Sequence, residues 1–222
     1  MENFLDVLAA CPLFARISPA DLPGMLQCLQ ARPMEFGRGE TVLHAGDAAE
    51  QVGVVLSGSL HIIQDGLDGS RRIIGHAEAG DLFAEAFACA GVELPVSVEA
   101  ARDSRVLLIP YARILSPCQQ ACGFHRQLMM NLMRILARKS LAFRQKLEIV
   151  SCRTTREKLL AYLQWQARQQ GSASFTIPYD RQGLADFLGV DRSGLCTELG
   201  KLRDEGVLRF RKNAFTLLPN DG

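Results

Sequence analysis

The sequence predicts an α+β chain in three successive parts: a β-rich first half, one long helix and a C-terminal winged helix-turn-helix. Short β-branched runs divided by glycine turns occupy residues 34–110. A run of strong helix formers without proline or internal glycine follows, from Gly123 to about Val150. Two capped helical patterns then meet at a Gly189-Val190 turn. The boundaries this implies are 1–117, 118–151 and 152–222.

In the first part, Val52-Gly53-Val54-Val55-Leu56, Leu60-His61-Ile62-Ile63, Arg72-Ile73-Ile74 and Val106-Leu107-Leu108-Ile109 supply residues that pack well on a pleated sheet. Turn signals at Gly37, Gly46, Gly58, Gly66, Gly69, Gly80 and Gly91 recur at the spacing of a compact barrel or sandwich.

In the long helix, Met129, Leu132, Leu136, Phe143 and Val150 fall at three-, four- and seven-residue spacing on one stripe, with Lys139 and Lys146 as polar exceptions. Such a stripe suits a parallel two-stranded coiled coil across a dimer axis. Leu128, Ile135 and Ala142 form a flanking stripe, suited to packing on the chain's own β-rich part. Just before and at the helix start stand Cys118, Cys122 and His125, whose spacings of four and three place them on one helical face. Together they offer thiolate and imidazole ligands to a metal, with a fourth ligand needed from Cys89 or a partner subunit.

The last part begins with a helix from Thr154-Thr155 to about Gln170 and a short strand at Phe175-Thr176-Ile177-Pro178. Asp180 then caps a helix with Leu184, Ala185 and Leu188 inside, and Asp191 caps a second helix to about Asp204 with Leu195, Leu199 and Leu202 inside. Residues 206–218 alternate as a hairpin around Lys212-Asn213. In a helix-turn-helix the second helix enters the major groove with its first turns against base edges, because the four base pairs are all distinguishable there. Arg192, Ser193, Gly194 and Thr197 are the outward positions, followed by Glu198 and Lys201. Arg192 is the candidate for bidentate contact with guanine. Arg211 and Lys212 on the wing suit phosphate.

Charge supports this polarity. Residues 1–115 hold 8 Lys/Arg against 15 Asp/Glu, and residues 116–222 hold 17 against 9, so a net charge of +1 conceals an acidic half and a basic half. Basic side chains displace counterions from phosphates, so the second half is the one that meets a polyanion.

The first half carries Phe36-x-x-Gly39-Glu40-x-Val42-x-x-x-Gly46-Asp47, then Val54-Val55-Leu56-x-Gly58-x-Leu60, then Gly80-Asp81-Leu82-Phe83-x-Glu85. These segments resemble the cyclic-nucleotide-binding β-roll, a jelly-roll-like double-stranded β-helix, of the Crp/Fnr regulator superfamily, and the resemblance extends over nearly the whole chain in the family's domain order. It implies a homodimeric DNA-binding transcription regulator, controlled allosterically by a small effector at the β-roll, reading an inverted repeat in double-stranded DNA and meeting RNA polymerase. It implies that Arg181 and Gln182 contact phosphates.

It also implies that Glu85 takes the ribose hydroxyl where a cyclic nucleotide binds. The slot for the arginine that pairs with the cyclic phosphate falls at Leu94, so cAMP is not the expected effector. Phe83, Phe87 and Cys89 then suggest a small apolar or aromatic ligand. The competing reading on the same scaffold is a redox- or metal-responsive regulator using Cys118, Cys122 and His125. The cysteine run of iron-sulfur sensors and the β-roll histidine of haem sensors are both missing, with Cys11 and Cys28 isolated.

Other classes recede. No stretch approaches the roughly 20 apolar residues of a membrane span, and the first 14 residues hold Glu2 and Asp6 but no basic residue, unlike a secretory signal. A cytoplasmic location follows, in which seven cysteines read as thiols. There is no nucleophile elbow, metalloprotease motif or P-loop, and His44, His61, His76 and His125 are scattered, so catalysis is not expected.

Overall fold

The computed structural model describes residues 4–66, 68–116 and 124–219, which divide into two compact units at residues 138 and 139. Among the described residues of the first unit, helices α1 (Phe4–Ala10) and α2 (Leu22–Cys28) precede strands β1 (Arg32–Phe36), β2 (Thr41–Leu43), β3 (Gln51–Ser57), β4 (Ser59–Asp65), β5 (Arg71–Glu78) and β6 (Leu82–Phe83). Then come α3 (Glu85–Ala90), β7 (Ser97–Ala100), β8 (Ser104–Pro110), α4 (Tyr111–Leu115) and the long α5 (Phe124–Val150), which runs into the second unit.

The strands form two antiparallel sheets, β1-β8-β3-β6 and β2-β7-β4-β5. Val55, Val106, Leu108 and Phe83 from the first meet Leu60, Ala77, Val98 and Ala100 from the second, closing an apolar interior. The opposite face of the first sheet is also covered: Val52, Val54, Leu107 and Ile109 pack with Leu8, Leu22, Met25, Leu128, Leu132 and Ile135 of the helices. Burial on both faces explains why β3 and β8 read as continuous apolar runs rather than alternating ones. Gly53 marks the tightest approach, since a Cβ there would lie 2.1 Å from Phe83 Cζ.

This packing corrects the α5 stripe. Leu132 is 4% exposed and belongs to the core of its own unit, so it is not free to face a second copy. The exposed large apolar residues of α5 are Met130, Met133, Leu141, Phe143 and Leu147, with Met129, Leu136 and Val150 half-buried. Met129, Met133, Leu136, Ser140, Phe143, Leu147 and Val150 follow one another at alternating steps of four and three, a heptad seam displaced by one position at every second step. Lys139 and Lys146 drop out of it. Lys146 instead places its ammonium 5.1 Å from the Phe187 ring.

In the second unit, α6 (Thr155–Gln170), β9 (Ser174–Thr176), α7 (Arg181–Leu188), α8 (Arg192–Asp204), β10 (Leu208–Arg211) and β11 (Ala214–Leu217) surround a core of Leu159, Leu163, Leu184, Leu188, Leu195, Leu199 and Leu202, centred on the fully buried Tyr162. Thr154 and Glu157 make a reciprocal capping box at the start of α6. The strands form a sheet in the order β10-β11-β9. No helix among the described residues is long and apolar enough to cross a membrane.

Candidate functional site

Both helices of the helix-turn-helix start where a carboxylate satisfies their free amides. Asp180 Oδ1 accepts from Gly183 N at 2.7 Å and Asp191 Oδ2 from Gly194 N at 2.9 Å. Ser193 Oγ also donates to Asp191, and these bonds hold the Asp191 carboxyl below its usual range. Between the helices Gly189 takes φ +61, which ends α7 without a Cβ clash. Lys158 Nζ reaches the Leu188 carbonyl at 3.3 Å, and Arg156 grips Glu205 through both guanidinium nitrogens, so α6 holds the end of α7 and the end of α8.

On this frame Arg192, Ser193, Thr197 and Lys201 are exposed along one side of α8. The Arg192 guanidinium makes no hydrogen bond or ion pair to another described residue, leaving its planar fork free for a base or phosphate. Thr197 donates its hydroxyl back to the Ser193 carbonyl at 3.0 Å, which turns the hydroxyl inward and leaves the methyl group as its outward contact. Gly194 spends its amide on the cap. Lys201 is paired with Glu198 at 2.6 Å, an exposed pair that a phosphate can exchange for. Cys196, one turn after Arg192, shares this exposed side. The sequence reading omitted it, although its i+4 relation to Arg192 was there to be used.

The wing turn is built from Lys212 at φ +53 and Asn213, with Asn213 Nδ2 donating to the Ile177 carbonyl at 3.1 Å. Arg211 and Lys212 are exposed. A cleft of about 610 Å³ lies between turn and helices, lined by Arg181, Gln182, Arg192, Lys212 and Asn213. The geometry thus gathers Arg181, Gln182, Arg192 and Lys212 around one opening. Arg181 is half-buried, its guanidinium over the rings of Phe210 and Phe215, and Gln182 donates to Asp186 at 2.9 Å.

In the first unit, Phe83 is 2% exposed and fills the apolar interior against Gly53, so it is a core residue rather than a surface for a ligand. Glu85 is 3% exposed at the start of α3, directly after Ala84, which adopts φ +60. Phe87 and Cys89 are half-buried on α3. The Cys89 thiol is hydrogen-bonded to Tyr111, and burial pushes its pKa up. Leu94 is 2% exposed, and its backbone is bonded both ways, to Gly46 at 2.8 Å and Asp47 at 2.9 Å. An apolar buried side chain therefore stands where a cyclic phosphate needs a cation, and the residues present do not fit a cyclic nucleotide held in that way.

Cys118 and Cys122 lie outside the described residues. His125 is 5% exposed and stacked on Phe124 at 4.7 Å, with its buried Nδ1 lacking a hydrogen-bond partner among the described residues. Among the described residues no three His, Cys, Asp or Glu side chains converge on a metal position. Cys11 is buried, and its thiol is pushed up to about 11 by that burial.

Residues 33–121 match the family model of the cyclic nucleotide-binding domain, and residues 157–220 that of the Crp-like helix-turn-helix domain. The chain belongs to the Crp/Fnr superfamily. Among curated relatives, the cyclic AMP receptor protein of Thermus thermophilus is 25% identical over 199 residues, covering 90% of this chain and 88% of that protein. The transcriptional activator protein FnrA of Stutzerimonas stutzeri is 24% identical over 201 residues, covering 87% and 78%. The fold is shared with CprK in complex with OCPA, at TM-score 0.63 and 16% identity over 89% of this chain and 88% of that one. It is shared too with the c-di-GMP responsive regulator CLP of Xanthomonas campestris, at TM-score 0.53 and 18% identity over 89% and 100%. This Crp/Fnr member is thus a transcription regulator and not an enzyme, with a sensor-type β-roll followed by a DNA-binding helix-turn-helix.

Proposed function

We propose that the chain works as a homodimer that reads an inverted repeat in double-stranded DNA and is switched by a small effector at the β-roll. The observation that carries this is the free Arg192 fork on α8, beside a cleft shared with Arg181, Gln182 and Lys212. Arg192, Ser193 and Thr197 face base edges, with Arg192 bidentate to guanine and the Thr197 methyl against thymine. Arg181, Gln182, Lys201, Arg211 and Lys212 serve the phosphates and fix register. The segments 1–117, 118–151 and 152–222 act as sensor, dimerisation helix and DNA-binding domain.

Two copies associate along α5 through Met129, Met133, Leu136, Phe143 and Leu147, an apolar seam that a lone chain leaves in water. The effector is not cAMP, because Leu94 offers no charge to a cyclic phosphate. The relatives support a scaffold with changeable effectors: one is described as a cyclic AMP receptor, another as responsive to c-di-GMP, a third was solved with OCPA. A small molecule near Glu85, Phe87 and Cys89 acts by preferring one of two pre-existing arrangements, and so changes DNA affinity by the ratio of its affinities for them. Access to chromosomal DNA and RNA polymerase places the protein in the cytoplasm.

Hydroxyl-radical footprinting on a DNA fragment retained by the protein tests the reading. Two protected half-sites centred roughly 34 Å apart are expected. Protection of a single half-site contradicts the dimer. Protection unaltered across a panel of metabolites, oxidants and metals contradicts effector control.

A further inference from the structure

One residue at the interface is used differently from its neighbours. Phe175 on β9, Phe215 on β11 and Phe210 on β10 are register partners, forming a row of rings across the wing sheet with centroids 6.2 and 5.9 Å apart. Arg181, the first residue of α7, lays its guanidinium on that row, with Cζ 5.0 Å from the Phe210 centroid and 5.3 Å from that of Phe215. The same hairpin carries Arg211 and Lys212 at its turn. We infer that Arg181 is a positioning residue which fastens the wing to the helix-turn-helix, so that the wing turn and α8 meet one duplex in a fixed register.

The chemistry favours arginine for this work. Its planar, weakly hydrated cation stacks on an aromatic face while its edge nitrogens stay open to water or phosphate. A lysine keeps the charge but is a compact, strongly hydrated point that cannot lie flat on two rings. The contact also links elements that are otherwise distant in sequence, since Arg181 and Phe210 are separated by the whole of the helix-turn-helix. The inference rests on the DNA-binding reading for its consequence, but not for its structural content.

The experiment compares the full chain with its Arg181→Lys, Arg181→Ala and Phe210→Leu variants in two measurements. In the first, without DNA, amide hydrogen exchange is followed across 154–219. Faster exchange confined to residues 208–217 in both Arg181→Lys and Phe210→Leu is expected. Exchange equal to the parent overturns the proposal, and so does a rise spread evenly over α6, α7 and α8, which marks general loosening.

In the second, affinity for the retained DNA is measured against salt. On the order of tenfold weaker binding is expected for both variants, with a shallower salt slope although every charge is kept, because Arg211 and Lys212 leave their phosphates. Phosphates under the wing lose protection while those under α8 keep it. Arg181→Lys binding like the parent, with Arg181→Ala lowering the slope by about one, overturns the proposal in favour of a plain phosphate contact. Should the parent bind no DNA, the DNA-binding reading fails, and the exchange measurement still decides the role of Arg181.

Discussion

The side-chain amide of Asn131, in the N-terminal third of α5, donates to the backbone carbonyl of Leu13 at 2.9 Å and to that of Ala15 at 2.8 Å. Both bonds join the long helix to the N-terminal segment, and since Asn131 is 3% exposed and Leu13 fully buried, water cannot replace the one to Leu13. Asn131→Leu leaves the buried Leu13 carbonyl without a donor and is expected to cost about 1–3 kcal/mol. Chemical denaturation followed in the first unit measures it, and a loss under about 0.5 kcal/mol contradicts this role.

Ala84 offers the opposite sign. It stands at φ +60, a region that costs an L-residue roughly 1 kcal/mol and glycine nothing. Ala84→Gly is expected to raise stability by up to about 1 kcal/mol, reduced by the greater freedom of glycine in the unfolded chain. A lower midpoint of denaturation for the variant contradicts the reading.

Acid should weaken the DNA-binding unit. Hydrogen bonds from Ser193 and Gly194 lower the Asp191 pKa from 3.8, those from Thr154 and Arg153 lower that of Glu157 from 4.5, and the Arg156 guanidinium lowers that of Glu205 from 4.5. A carboxyl with a depressed folded pKa contributes stability that is complete above its unfolded value and lost as pH falls through the folded one. Melting temperature should therefore be flat from pH 7 to about 5 and fall below pH 4. In a Glu157→Gln, Asp191→Asn double variant the fall is shallower, and an identical fall argues against these caps as its source.

Cys196 is the exposed thiol among the described cysteines, and it lies on the side of α8 that carries Arg192 and Thr197. Alkylation there adds bulk where a base edge has to approach. N-ethylmaleimide is expected to abolish DNA binding, with far smaller effect on Cys196→Ser. Burial keeps Cys11 and Cys89 protonated and slow to react. Equal inhibition of both proteins sinks the assignment of this face.

Legibility in the sequence followed the range of the interactions. The two helices of the helix-turn-helix were readable to the residue because Asp180 and Asp191 bond to amides three positions on, a local relation that spacing alone reveals. The stripe on α5 was not. Leu132 and Met133 are apolar neighbours of similar volume, and only packing against the N-terminal helices, anchored by Asn131 more than a hundred residues away from Leu13, decides which faces inward. Phe83 likewise reads as a pocket residue until Gly53 is seen beneath its ring. Arg181 sits where a phosphate contact belongs, and its stack on Phe210 and Phe215 depends on the return of the wing hairpin.

The central claim is that α8 reads DNA through Arg192 in a two-fold assembly. Selection of bound sequences from a random duplex pool, run in parallel with Arg192→Ala, tests it most directly. The account predicts an inverted repeat with a conserved guanine in each half-site for the parent, and loss of that guanine with about 1–3 kcal/mol weaker binding in the variant. Recovery of the same motif by both proteins, or of a motif without two-fold symmetry, contradicts it.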